Sequence, residues 1–120
     1  MTELINRDTN VILADKLKIY KDTFHKTRGL MFSLPLKKGE AIVLVANEES
    51  KLETTIHMFF VFFSIDVVWL NKEKEVVDKK EKVVAFTPLI VPKQPAKYVI
   101  ELRKGCSKHV KIGDKLDFVE

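Results

Sequence analysis

One stretch, Ile56–Leu70, most constrains how this chain can fold. It holds four of the eight phenylalanines and the only tryptophan. Its ionisable side chains are His57 near the start and Asp66 near the end. A segment this apolar has to be buried, because removing apolar surface from water is the main favourable term in folding. The rest of the chain must therefore cover it, and a carboxylate between Ile65 and Val67 needs a specific reason.

Length and composition indicate a single domain. The chain has 120 residues and one cysteine, Cys106, so we expect one domain over residues 1–120 without an internal disulfide. Residues 1–10 lack the apolar core of a signal peptide, and Ile56–Leu70 is shorter than the roughly 17–25 residues of a membrane helix. We therefore expect a soluble, cytoplasmic protein that does not bind membranes.

The net charge of +4 raises the question of a nucleic-acid partner. The basic residues are interspersed with acidic ones, as in Asn71–Lys82, whereas a nucleic-acid interface usually groups Lys and Arg beside exposed aromatic rings. Only three of the 21 basic residues are arginines, although arginine is the better bidentate ligand of phosphate and guanine. We therefore expect no nucleic-acid partner.

Short strand-like segments follow one another along the chain. The clearest is Lys97–Leu102, which alternates residue by residue and places Val99 and Glu101 on one face. β-Branched, aromatic or apolar composition predicts further strands at residues 2–6, 11–20, 41–46, 54–59, 63–70, 75–86 and 115–119. Three of the four prolines lie in Thr87–Ala96, which predicts an extended connection there.

The remaining pattern allows only one short helix, near residues 23–31. Asp22 or Thr23 can cap it, with Phe24 and Met31 on its buried face, and Gly29 limits its length. Many short strands with little helix are typical of a sandwich or barrel. We therefore predict a mainly β fold, or a β-dominated α+β fold, arranged as a compact sandwich or barrel.

Three segments carry motifs in a fixed order. Arg28–Phe32 reads RGLMF, Met58–Asp66 begins with Met and ends with Ile-Asp, and Tyr98–Asp114 combines YVIEL with Gly105 and a final Ile-Gly-Asp. In order and spacing these segments resemble the uncharacterised family known as domain of unknown function 192, over nearly the whole chain. The resemblance implies a single mostly-β domain with no assigned activity, and His57 makes the chain similar to archaeal members.

The chain departs from the family pattern inside the second motif. Phe59, Phe60 and Val61 replace the usual Lys-Asn-Thr, and Ser64 stands where proline is common. If the Asn-Thr pair lines a ligand site in relatives, that site is altered here.

Asp66 and Arg28 are the first candidates for function. A carboxylate among apolar residues can have a raised pKa and act as an acid, a base or a ligand anchor. Alternatively, Asp66 faces solvent or accepts backbone hydrogen bonds. Arg28 can form a bidentate bridge to Asp66 or Glu101, which would fasten the helix to the sheet, or it can grip an anionic ligand.

Cofactor and metal motifs are not recognisable. His57 has no second histidine at metal-ligand spacing and is more simply a buried histidine bonded to a backbone carbonyl. Cys106 and His109 give only two of the four ligands that a zinc site needs. The glycines do not form a phosphate-binding loop. We therefore expect neither a metal nor a cofactor.

Three functional hypotheses follow. The leading one is a binding or interaction module rather than an enzyme, for an unidentified small molecule or protein, with its site where the Arg28 motif meets the Met58–Asp66 strand. The residues of this site would be Arg28, Met31, His57, Met58, Asp66 and Glu101. The second hypothesis is a hydrolase that uses Asp66 and His57 as acid and base. The third is a homo-oligomer contact through exposed phenylalanines of residues 59–63.

Overall fold

The computed structural model describes residues 3–22, 26 and 28–119, and this part of the chain is mainly β, as predicted. A short 3-10 helix, Cys106–His109, precedes the last strand. The strands are β1 (Leu4–Asn6), β2 (Val11–Ala14), β3 (Lys16–Tyr20), β4 (Glu40–Ser50), β5 (Ile65–Leu70), β6 (Val76–Val83), β7 (Ala96–Arg103) and β8 (Leu116–Asp117).

The strands form two sheets. The large sheet has the order β3-β4-β7-β5-β6, in which β3 runs parallel to β4 and all other neighbours are antiparallel. The small sheet has the order β2-β1-β8. Only Asp15 separates β2 from β3, and the N–H groups of Asp15 and Lys16 both donate to the carbonyl of Gly39. The predicted strand at residues 11–20 is therefore bent at Asp15 and contributes to both sheets.

One face of the large sheet packs on the small sheet. Alternate residues of β7, Tyr98, Ile100 and Leu102, point into this first core cluster, as their alternation predicts. They meet Leu4 and Leu116 of the small sheet. The two sheets therefore share one apolar layer, which is the arrangement of a sandwich.

The opposite face of the large sheet is covered by irregular segments on either side of β5 and β6. Trp69 and Val99 share this second core cluster with Met58 and Ile90. The Trp69 indole N–H donates to the carbonyl of Thr54 at 2.8 Å, which fixes the covering segment to β5. Because both faces of the sheet are covered, all six residues of β5 are buried.

The predicted strand at residues 54–59 is wrong. Only Ile56 pairs there, through a single bridge to Ile90. The hydroxyls of Thr54 and Thr55 donate to backbone carbonyls four residues earlier, at Ser50 and Lys51. Such local bonds compete with a strand ladder and turn the chain instead. Ile56–Leu70 therefore contains one strand rather than two.

The predicted helix near residues 23–31 is described only in part. Lys26 and Arg28 are helical, and the Lys26 N–H donates to the carbonyl of Asp22 at 3.1 Å. Residues 23–25 and 27, including the proposed cap Thr23 and the apolar Phe24, lie outside the described residues. Within the described ranges, the structure has no helix long and apolar enough to cross a membrane.

Candidate functional site

Asp66 is fully buried on β5 and accepts four hydrogen bonds. Its Oδ1 accepts from the N–H of Lys82 at 3.0 Å. Its Oδ2 accepts from the N–H of Gly105 at 3.1 Å and from the N–H and hydroxyl of Ser107 at 3.0 and 2.6 Å. Burial by itself raises the pKa of Asp66, but these hydrogen bonds outweigh it and leave the pKa below its usual value. The ionised carboxylate therefore fastens the 3-10 helix and the end of β6 to the large sheet.

Arg28 is not among the donors to Asp66. Arg28 is exposed and lines a separate cleft with Lys16, Lys37 and Glu40. The hydrogen bonds of Asp66 come from β6 and the 3-10 helix instead. The structure thus does not form the Arg28–Asp66 bridge, and it favours the structural role of Asp66 that the sequence left open.

A cavity of about 320 Å³ lies on the irregularly covered face of the large sheet, and we call it the Glu101 cavity. Apolar side chains from the helix end, β4, the covering segment and β7 line it: Leu30, Leu44, Ala46, Ile56 and Val99. Residues with polar groups or without a side chain complete the lining: Lys26, Gly29, Asn47, Glu53, Thr54, Thr55, His57 and Glu101.

Glu101 is the unusual member of this lining. It lies on β7 between Ile42 of β4 and Val67 of β5, and only 4% of its surface is exposed. Its Oε1 has no hydrogen-bond partner among the described residues. Burial raises the pKa of the Glu101 carboxyl to about 7. A buried acceptor without a donor is rare, because the lost hydration is not replaced.

Gly29 leaves the space above this unpartnered oxygen. Its φ is +49°, a left-handed conformation that glycine adopts without steric cost, and a Cβ built there would lie 3.4 Å from Oε1 of Glu101. Gly29 is the second residue of the RGLMF motif. This motif therefore reaches Glu101 through its glycine rather than through its arginine.

His57 lines the same cavity and is half-buried. Its Nδ1 accepts a hydrogen bond from the N–H of Phe59 at 3.1 Å. An accepting Nδ1 carries no proton, so we assign the proton of the neutral ring to Nε2. Asp66 is not part of the lining, and His57 is not among its hydrogen-bond partners. The structure therefore does not bring His57 and Asp66 together as an acid–base pair in this cavity.

Two of the six residues predicted from the sequence, His57 and Glu101, line the cavity. Met58 is buried in the second core cluster, and Met31 is half-buried outside the cavity lining. The walls from β4 were not predicted. Knowledge of the strand register would have predicted them, because Leu44 pairs with Val99, which lies on the same face of the sheet as Glu101.

Sequence comparison identifies relatives along nearly the entire chain. The profile of the family described as uncharacterized ACR, domain of unknown function 192, matches residues 4–118. A UPF0127 protein of Pyrococcus abyssi is 36% identical over 123 residues, covering 99% of each chain. A UPF0127 protein of Thermococcus sibiricus is 37% identical over 118 residues, covering 96% of this chain and 73% of the relative.

Two solved structures have a similar fold. A protein of unknown function from Novosphingobium aromaticivorans superimposes with a TM-score of 0.84 at 17% identity, covering 97% of this chain and 82% of its own. A protein from Sinorhizobium meliloti described as a proposed transcription regulator gives a TM-score of 0.83 at 20% identity, covering 96% and 89%. At these identities the similarity concerns the fold alone.

Replacing Asp66 by asparagine should lower the free energy of unfolding by about 3 kcal/mol at pH 7, because an amide cannot accept all four hydrogen bonds of a buried carboxylate. The folded-state pKa of Asp66 is lowered, so its contribution is present above the unfolded pKa and is lost as the pH falls through the folded value. Urea unfolding at several pH values measures both effects. The control is Asp117→Asn, at an exposed ion pair with Arg7, which should change stability by less than about 1 kcal/mol. Equal losses for the two variants would contradict this role of Asp66.

Glu101→Gln should make the protein more stable above pH 7. The folded-state pKa of Glu101 is raised from 4.5 to about 7, so the folded state binds more protons than the unfolded state between these values. The contribution of protonated Glu101 to the free energy of unfolding is therefore complete below about pH 4.5 and is lost as the pH rises through 7. This loss lowers the free energy of unfolding of the wild type by up to about 3 kcal/mol. The difference in unfolding free energy between variant and wild type, measured from pH 4 to pH 8, should grow with pH. A difference independent of pH would refute the raised pKa.

Proposed function

We propose that this chain, which belongs to the uncharacterised family domain of unknown function 192, is a binding module that holds a small molecule in the Glu101 cavity. The observation that carries the proposal is the buried Oε1 of Glu101, which has no hydrogen-bond partner among the described residues and belongs to a residue that lines a cavity. A bound molecule that donates a hydrogen bond to this oxygen would remove its desolvation cost.

The composition of the cavity supports this proposal. Ligand sites are mostly apolar, with a few convergent polar groups that fix orientation, and their volumes begin near about 300 Å³. The Glu101 cavity has apolar walls, a buried acceptor on Glu101 and a donor on the Nε2 of His57. These two groups would orient a ligand, and the walls would bury its apolar part.

The same lining argues against nucleophilic catalysis. A nucleophilic mechanism needs a side chain activated by a neighbouring base. The two hydroxyls in the described lining, on Thr54 and Thr55, already donate to backbone carbonyls. Cys106 lines a different cleft. The described residues of the cavity therefore offer recognition groups without an activated nucleophile.

Ala46→Phe should abolish ligand binding, because the ring would occupy the cavity that Ala46 lines from β4. Ligand-observed NMR against a library of small fragments provides the measurement, and Ala46→Leu should weaken binding by a smaller amount. The matched control is Ile112→Phe, which adds a ring at an exposed position outside the cavity lining. Fragments should bind the wild type and this control alike. A library in which every hit binds Ala46→Phe as well as the wild type would overturn the proposal.

A second candidate function is self-association through an exposed aromatic patch, which consists of Phe32, Phe60, Phe62 and Phe86. Phe32 stacks on Phe60 with ring centroids 4.9 Å apart, and Phe86 contacts Phe60 and Phe62 at 6.3 and 5.1 Å. Phe62 is 63% exposed. Exposed apolar clusters of this kind are typical of protein–protein contacts.

Backbone conformation supports a role for this patch. Phe32, Phe60 and Phe86 have φ values of 58°, 57° and 64°, which bulky residues rarely adopt and which have a steric cost. The N–H of Phe32 donates to the carbonyl of Phe60 at 2.8 Å, and that of Phe86 to the carbonyl of Met58 at 2.9 Å. These bonds hold the rings together at the surface, where a second copy of the chain would cover them.

Sedimentation over a wide concentration range tests this second function. The wild type should form dimers as concentration rises, and Phe62→Ser should shift the equilibrium towards monomers by at least about tenfold, because it removes an exposed ring that contacts Phe86 within the patch. Leu52→Ser, at an exposed position outside the patch, should leave the equilibrium unchanged. A monomeric wild type at all concentrations would exclude self-association through the patch.

A further inference from the structure

We infer that the ligand of the Glu101 cavity is a small organic cation, in which an ammonium or amidinium group on an apolar body donates to Oε1 of Glu101. This inference rests on the proposed function and adds the chemical class of the ligand. Its starting point is geometric: a side chain that is 96% buried presents an oxygen with no partner among the described residues to a cavity.

The described protein groups around Glu101 do not supply the donor. Its neighbours across the strands, Ile42 and Val67, are apolar. Lys26 and His57 line the same cavity, yet neither donates to Oε1. A ligand in the cavity would supply the donor that the described residues do not give to this oxygen.

Charge favours a cation over a neutral donor. Among the described residues, the ionisable groups that line the cavity are Lys26, Glu53, His57 and Glu101. When Glu101 is ionised, its carboxylate and that of Glu53 face the cavity together with the ammonium of Lys26, and the Glu53 carboxylate also accepts from the N–H of Glu48. A neutral donor would leave the buried charge of Glu101 uncompensated, whereas a cation forms a charge-assisted hydrogen bond with it.

The walls define the rest of the ligand. Leu30, Leu44, Ile56 and Val99 form an apolar part of the lining, and a volume of about 320 Å³ is far larger than an inorganic cation needs. An aliphatic or aromatic body attached to the cationic group would fill this space and gain from its burial.

Protonation of Glu101 gives the inference a measurable signature. Burial raises the pKa of Glu101 to about 7, and a cation binds its ionised form. The ionised fraction falls from roughly nine-tenths at pH 8 to roughly one-tenth at pH 6, so the affinity for a cation should fall about tenfold over this range. A neutral ligand should lack this dependence.

Isothermal titration calorimetry with matched probes tests the inference. Benzylamine and benzamidine are cations at both pH values, benzyl alcohol is their neutral counterpart and benzoate their anionic one. At pH 8 the cations should bind the wild type at least about tenfold more tightly than benzyl alcohol, by the factor expected for a charge-assisted bond. Their affinity should fall about tenfold at pH 6, and Glu101→Gln should lose both the preference and its pH dependence. A pH dependence of the same size in Glu101→Gln would overturn the role assigned to Glu101.

The other outcomes separate this inference from the proposed function. If benzyl alcohol or benzoate binds as tightly as the cations, and Ala46→Phe abolishes that binding, the cavity binds small molecules but the cationic class is wrong. Cation binding that is equal in the wild type and Glu101→Gln also overturns the inference. If none of the probes binds and the fragment library gives no cavity ligand, both the inference and the proposed function fail.

Discussion

The structure depends on the burial of both faces of the large sheet. Antiparallel sheets commonly leave one face to solvent, but here the small sheet covers one face and irregular segments cover the other. The central strands β5 and β7 are consequently removed from water on both sides. Any carboxylate on these strands must find its hydrogen-bond donors within the protein or in a ligand, and this requirement applies to Asp66 and Glu101.

The two carboxylates meet this requirement differently. Asp66 receives four hydrogen bonds, which hold its pKa below the usual value in spite of burial. Glu101 has an oxygen without a partner among the described residues, and burial raises its pKa to about 7. Burial thus acts in the same direction on both groups, and the number of donors decides the result. The saturated carboxylate connects parts of the fold, whereas the unsaturated one is the basis of the proposed ligand site.

Sequence patterns predicted the parts of this arrangement that depend on near neighbours. The alternation in Lys97–Leu102 assigned Glu101 to the same face as Val99, and the apolar context singled out Asp66 but left open whether it faces solvent or accepts hydrogen bonds. The donors to Asp66 lie 16 to 41 residues away, at Lys82, Gly105 and Ser107, and no local pattern connects them. The strand predicted at residues 54–59 failed because threonine hydroxyls bond to nearby carbonyls, an alternative that hydrophobic composition does not reveal.

The RGLMF motif illustrates why the site was harder to predict than the fold. Its arginine has the most obvious chemistry, and a sequence reading naturally assigns the functional role to that charge. In the structure, Arg28 is exposed and Gly29 approaches Glu101, so the motif contributes space rather than charge. A Cβ at position 29 would lie against the unpartnered oxygen, and its left-handed φ would be strained. The space beside Oε1 of Glu101 therefore depends on the absence of a side chain at position 29. The sequence does not show this, because Gly29 and Glu101 come together only in the folded chain.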